Sequence, residues 1–233
     1  MSTIITTIAF DADDTLWHNE RLFRFNEAQF ADLLSDYADK ETLDQHLLEI
    51  ERRNLRLYGY GIKGFTLSMI ETAIEVTQGR VPASVIKAIL DAGQTMHRTS
   101  IEVFPHIRTI IETLRGQYKL IIITKGDLFD QERKLAESNL GDLFDAVEVV
   151  SEKDKSIYEK LLSRHGTGAD QAVMVGNSLK SDIIPALQTG AFGIYVPYDI
   201  TWILEEAEEP IEYERYRKIK SLEDLPALLK TLA

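Results

Sequence analysis

Short apolar runs and longer helix-periodic stretches divide this chain into two kinds of territory. Ile4-Ile5-Thr6-Thr7-Ile8-Ala9-Phe10 is brief and rich in Ile and Thr, which predicts a buried strand. Lys119-Leu120-Ile121-Ile122-Ile123 is apolar without interruption and predicts a central strand covered on both faces. Ala146–Val150, Ala172–Val175 and Gly193–Val196 read as further strands, the last ending at Pro197. Between them, Leu128 to Ser138, Ser156 to Arg164 and Ile183 to Thr189 carry helix-compatible spacing. Strands that alternate with helices predict βαβ units and an α/β fold around a parallel sheet. In such sheets ligands gather at the carboxyl ends of the strands. Asp11, Thr124 and the loop after Val175 all fall at those ends.

Residues 17–100 follow a different pattern. Trp17 to Tyr37, Glu41 to Leu57, Thr66 to Thr77 and Pro82 to Met96 read as four helices with no strand among them. Leu43, Leu47, Leu48, Ile50 and Leu55 fit one buried helical face. The simplest organisation is a sheet domain of residues 1–16 and 101–233 with an inserted all-helical module at 17–100. Tyr58-Gly59-Tyr60-Gly61-Ile62-Lys63-Gly64-Phe65, with three glycines, reads as a loop inside that module. Its tyrosines and lysine are either ligand contacts or ordinary surface residues of a helix connection.

Composition narrows the function classes. Lys and Arg number 26 against 38 Asp and Glu, a formal charge of −12, which disfavours nucleic acid or an anionic membrane surface as a partner. Cysteine is absent, so disulfides, thiolate metal sites and cysteine catalysis are excluded. The first residues lack the pattern of a signal peptide, and no apolar run approaches the ~20 residues of a membrane span. A cytoplasmic setting is expected. The five histidines are scattered, which argues against a histidine metal cluster. Glu205-Glu206-Ala207-Glu208-Glu209 reads as a solvated helix face or loop.

Four loops carry candidate chemistry. Asp11-Ala12-Asp13-Asp14-Thr15 follows the first strand, and three carboxylates there are costly unless a cation or proton-managing reaction needs them. A plain Asp-rich turn capping a helix has the same composition. Thr124-Lys125-Gly126-Asp127 offers a hydroxyl and free amides at a helix start, which suits an oxyanion. Ser151-Glu152-Lys153-Asp154-Lys155 supplies two lysines after a strand. Gly176-Asn177-Ser178-Leu179-Lys180-Ser181-Asp182 supplies an acidic loop after another.

In this order, these motifs resemble those of the haloacid dehalogenase-like superfamily of hydrolases. Asp11, Asp13 and Thr15 match its D-x-D-x-T motif, Thr124 its strand-terminal Ser or Thr, and Lys153 its lysine before a helix. Gly176 to Asp182 match its G-D-x-x-x-x-D loop, with Asn177 in place of the commoner Asp. Lys155 competes with Lys153, because the usual proline after the motif lysine is missing. The resemblance implies a Rossmann-like, doubly wound core and an α-helical cap at 17–100 that closes over the site. It also implies a phosphohydrolase acting on a small phosphorylated metabolite. Asp11 would be the nucleophile and Asp13 the general acid and base. Thr124, Lys125, Gly126 and Lys153 would hold the phosphoryl group, and Tyr60 and Lys63 of the cap would touch the rest of the substrate. Mg²⁺ would be bound by the Asp11 carboxylate, the Asp13 carbonyl and Asp182, with Asn177 orienting a bound water. Two alternatives accompany this reading: a metal-independent 2-haloacid dehalogenase and a catalytically silent phosphometabolite-binding protein. Dehalogenases of this superfamily lack the second aspartate, because a halide leaves without a proton.

Overall fold

A computed structural model describes residues 4–232. The chain divides into two compact units. One runs to His18, resumes over Ile101–Lys125 and continues from Glu132; the other comprises Asn19–Ser100 and Gly126–Gln131.

The first unit is built on a sheet of six parallel strands in the order β3-β2-β1-β4-β5-β6. They are β1 (Thr7–Phe10), β2 (Lys119–Lys125), β3 (Ala146–Val150), β4 (Ala172–Gly176), β5 (Phe192–Tyr195) and β6 (Tyr216–Lys218). The order reverses between β1 and β4, and a doubly wound sheet opens its ligand crevice at such a switch point.

Period-two alternation explains why both faces are apolar. Ile8, Phe10, Leu120, Ile122, Val173 and Val175 join one core cluster, which includes Ile107, Ile110, Ile111 and Leu114 of α5 (Ile107–Leu114) and Leu225 and Leu229 of α8 (Leu225–Leu232). The intervening Ala9, Ile121, Ile123 and Met174 join the opposite cluster with Tyr158, Leu161 and Leu162 of α7 (Lys155–His165). The sixth strand, β6, is half-buried and charged, so no apolar run announced it. The first strand starts at Thr7 and not at Ile4, whose side chain is exposed.

The second unit holds α1 (Glu20–Leu33), α2 (Lys40–Tyr58), α3 (Ile62–Val76) and α4 (Ala83–Arg98). Phe30, Leu43, Leu47, Ile62, Phe65, Met69, Ile89 and Met96 form its core. Two expectations need correction here. The glycine-rich stretch is a loop only as far as Gly61. Gly64 lies inside α3, where a β-carbon would meet the Gly59 carbonyl oxygen at 2.7 Å, so its smallness serves helix packing. Trp17, expected to begin the helical block, is instead buried in the apolar cluster of the sheet unit. Among the described residues, no helix is long and apolar enough to cross a membrane.

Candidate active site

The loop after β1 is a tight turn. Leu16 N–H donates to the Ala12 carbonyl at 2.8 Å, Asp14 N–H donates to the Trp17 carbonyl at 2.7 Å, and Asp14 adopts a left-handed φ of 59°, a conformation Asp tolerates. This turn sends the neighbouring carboxylates to different surroundings. Asp11 is buried, and its backbone N–H donates to the Val175 carbonyl of β4 at 2.9 Å, extending the ladder across the switch point. The Asp13 carboxylate turns to the Trp17 indole, which donates to it at 2.7 Å, and to the Lys134 ammonium, which donates to both of its oxygens at 3.0 and 3.1 Å.

Lys153 joins two of the predicted motifs. Its ammonium is buried and donates to Asp11 Oδ1 at 2.5 Å and to Asp182 Oδ1 at 2.7 Å. Lys155 does something else. It begins α7, stays exposed and pairs with Glu159 one turn on. Asp154 between them caps that helix by accepting from the Ile157 amide at 2.9 Å, so the cap fixes which lysine faces inward.

Asp182 is placed by a wide, π-type turn, Leu179–Ile183, after β4. Ser178 caps this turn by accepting from the Ser181 amide at 3.0 Å, and the Ser178 amide donates to Asp182 Oδ2 at 3.0 Å. Glycine at 176 is obligatory here, because a β-carbon would meet Asp182 Oδ2 at 2.3 Å. With its NH₂ turned toward the acceptors around it, the Asn177 nitrogen lies 3.1 Å from the Asp13 carbonyl, Thr15 Oγ1 and Asp11 Oδ2, and its two N–H bonds are shared among them. Thr124 is buried near the end of β2, two residues beyond Ile122, which pairs with Phe10, and so it stands at the same sheet edge as Asp11.

The electrostatics are unbalanced. Burial and the neighbouring Asp182 push the Asp11 carboxyl up to about 7, outweighing the nearby Lys153. Burial works against the Lys153 charge, but Asp11 and Asp182 prevail and hold it above the ordinary lysine value. Burial, Asp182 and Asp11 raise Tyr158, which therefore stays neutral and donates to the Ser181 carbonyl at 3.1 Å. One ammonium thus serves two buried carboxylates, and the cluster lacks a positive charge. Asp11 Oδ2, the Asp13 carbonyl and Asp182 are hard oxygen donors. Such a set suits a small divalent cation like Mg²⁺, so the residues fit the ion the motifs imply. Among the described residues, no three His, Cys, Asp or Glu side chains form a ready metal cluster; the arrangement relies on a backbone carbonyl as well.

Other predicted site residues are engaged elsewhere. Lys125 donates to Ser181 Oγ and to Glu205 Oε1, each at 2.7 Å, so its charge is already committed. Gly126 takes a φ of 145°, and a β-carbon there would meet Gln131 Nε2 at 2.8 Å. Tyr60 and Lys63 belong to the helical unit, where Lys63 donates to both carboxylate oxygens of Asp127 at 3.0 and 2.9 Å.

Three contributors escaped the sequence motifs: Trp17, Lys134 and Glu205. Lys134 had a readable signal. In α6 (Leu128–Ser138), the buried positions are Asp130, Gln131, Lys134 and Ser138, so the inward stripe is polar where apolar residues belong. Glu205 corrects the picture of a solvated acidic run, because it is mostly shielded and paired while Glu206, Ala207, Glu208 and Glu209 are exposed.

Comparisons with known proteins agree with this geometry. A model of the haloacid dehalogenase-like hydrolase family matches residues 5–190. A solved haloacid dehalogenase-like family hydrolase from Xanthomonas campestris is 43% identical, with a TM-score of 0.87 over 98% of this chain and 91% of that one. Human N-acylneuraminate-9-phosphatase is 25% identical over 98% of this chain and 95% of its own length. Glyceraldehyde 3-phosphate phosphatase of Pyrococcus furiosus is 27% identical over 98% of this chain and 93% of its own. The chain is an enzyme of the haloacid dehalogenase-like hydrolase family.

Proposed function

We propose that this hydrolase cleaves a small-molecule phosphate monoester through a phosphorylated Asp11, with Mg²⁺ as its cofactor. One observation carries the reading. Two carboxylates two residues apart are held in opposite ways, Asp11 beside Lys153 and Asp182, Asp13 apart on Trp17 and Lys134. A nucleophile and a separate proton carrier need that division of labour. The named phosphatases among the relatives support the same class of reaction.

In the first step an Asp11 oxygen bonds to phosphorus while the bond to the ester oxygen breaks, and Asp13 delivers its proton to that leaving oxygen. In the second, Asp13 takes a proton from water, whose oxygen bonds to phosphorus as the Asp11–phosphorus bond breaks. Inorganic phosphate leaves and both carboxyl groups return to their starting states. The Thr124 hydroxyl and the Lys153 ammonium hold phosphoryl oxygens whose charge shifts during transfer. Asp11, the Asp13 carbonyl and Asp182 would hold Mg²⁺, with Asn177 orienting a bound water. The bound ion neutralises the repulsion between carboxylate and phosphoryl group. A halide leaving group would give Asp13 no proton to deliver, so the phosphate ester explains this residue where a haloacid does not.

The helical unit, from Asn19 to Ser100, takes the part of a cap that sets substrate choice, with Tyr60 as a candidate contact and Lys63 committed to Asp127. The test is direct. Purified protein should release phosphate from p-nitrophenyl phosphate with Mg²⁺ and stop in EDTA. Cleavage of 2-chloropropionate in EDTA, without phosphate release from any ester, would replace this reading with the dehalogenase.

A further inference from the structure

After β5 the chain runs from residue 196 to 215 before β6 begins, with one short 3₁₀ turn, Ile203–Glu205, on the way. Connections longer than about 12–15 residues are uncommon in compact domains unless they serve a function. This one is fastened at its turn. Lys180 Nζ donates to the Leu204 carbonyl at 2.6 Å, and Ser178 Oγ donates to Glu205 Oε2 at 2.6 Å. Lys125 Nζ donates to Glu205 Oε1 and to Ser181 Oγ, each at 2.7 Å. Both oxygens of one carboxylate are therefore used, one on the last residue of β2 and one on the serine that caps the Asp182 turn.

The pair is well shielded, with side-chain exposures of 11% for Lys125 and 16% for Glu205. Burial raises the Glu205 carboxyl, but the Lys125 charge and hydrogen bonds from Lys125, Ser178 and Ser181 outweigh it and hold Glu205 below its ordinary value. Removing one partner of an ion pair this shielded is costly, because the other stays buried with less compensation; for Lys125 the exposed Glu152, 3.4 Å away, remains. The turn's capping Ser178, its central Ser181 and the residue next to Thr124 all meet at Glu205.

We propose that Glu205 and Lys125 are positioning residues: together they brace the turn that presents Asp182 against the strand end that presents Thr124. Lys125 then serves this brace and does not hold the phosphoryl group. The proposal rests on the function proposed above only where it reaches cation binding and turnover; the brace itself is readable without either.

Three single variants and one double test it: Glu205→Ala, Lys125→Met, their combination, and the conservative Glu205→Gln, whose amide oxygen still accepts from Lys125 while its NH₂ donates to the Ser178 hydroxyl oxygen in place of the bond Glu205 accepts there. Amide hydrogen exchange across residues 178–183 is measured first, on the full chain. Exchange at least tenfold faster is expected in Glu205→Ala and Lys125→Met, near wild-type exchange in Glu205→Gln, and no further gain in the double variant. Calorimetric titration with Mg²⁺ alone should show the dissociation constant about tenfold higher in the first two variants and within threefold of wild type in the third. Inhibition by inorganic phosphate should be unchanged throughout. Unchanged exchange in Glu205→Ala would overturn the brace. So would tenfold weaker phosphate inhibition in Lys125→Met with Mg²⁺ binding intact, because Lys125 would then be a phosphate ligand. A wild-type protein that takes up no Mg²⁺, yet shows the exchange pattern, would leave the brace standing and remove the cation from the proposed reaction.

Discussion

Charged pairs on the helical unit's surface and at the carboxyl edge of the sheet are used in opposite ways. In the helical unit several are exposed: Lys40 with Asp44 at side-chain exposures of 65% and 47%, Arg53 with Glu71, and Lys87 with Asp91. At the carboxyl edge of the sheet the central ones are buried: Lys153 with Asp11 and Asp182 at 2%, 9% and 1%, and buried Lys134 with half-buried Asp13. Exposed pairs of this kind contribute roughly 0–1 kcal/mol, whereas breaking a buried pair costs about 3–5 kcal/mol. A fold has no need of the second kind, since apolar side chains fill such space as well or better. Their concentration at one edge of one unit marks where chemistry outweighs stability.

The sharpest way to break this contrast is at its centre. Asp11→Asn should lower phosphate-ester turnover on the order of 10⁴-fold or more, the scale of losing a nucleophile. It should also stabilise the metal-free protein. With the Asp11 carboxyl raised to about 7, the folded chain holds a proton that the unfolded chain releases near the ordinary carboxylate value. Stability is therefore lost as pH rises from about 4 to about 7, and the amide escapes that loss. Thermal melts in EDTA should show the variant's advantage growing over that window to a few degrees, roughly 2–4 °C per kcal/mol relieved. An advantage that shrinks with rising pH would contradict the burial argument.

Lys153→Met comes next. Removing the one ammonium that two buried carboxylates share should cost about a hundredfold or more in kcat and lower the melting temperature at neutral pH. Equal melting curves at pH 5 and pH 8 would show that the carboxylates never depended on it. Lys134→Met should be milder. Asp13 keeps its bond from Trp17 but loses its cation, and kcat should fall roughly tenfold to a hundredfold with KM little changed. A rise in KM alone would make Lys134 a substrate contact instead. At the bottom of the scale, Lys87→Met removes an exposed partner and should change stability by less than about 0.5 kcal/mol, with kinetics untouched.

Much of this arrangement was legible in the chain because the sheet obeys simple rules. Short, mostly apolar runs located five of the strands, and the polar residues at the ends of three of them became Asp11, Thr124 and the Asp182 turn at one edge. What stayed hidden depends on contacts between distant segments. The rivalry of Lys155 with Lys153 is a local exception, decided by the Asp154 cap that orients α7. Glu205 sits in an acidic run whose other members are exposed, and the long connection after β5 carries it to Lys125. The strand β6 and the polar inner stripe of α6 broke the expected hydrophobic pattern, the first because it is a charged edge strand, the second because Lys134 of that stripe reaches Asp13.

Whether Asp11 becomes phosphorylated is tested most directly by acid-quenching the protein during turnover of a phosphate ester with Mg²⁺ and reducing it with borohydride. Reduction converts an acyl phosphate on aspartate to homoserine, which peptide mass spectrometry locates. The modification is expected at position 11 alone and absent without Mg²⁺. Modification at another carboxylate, or none during demonstrable phosphate release, would contradict the assignment of Asp11 as the group that carries the phosphoryl.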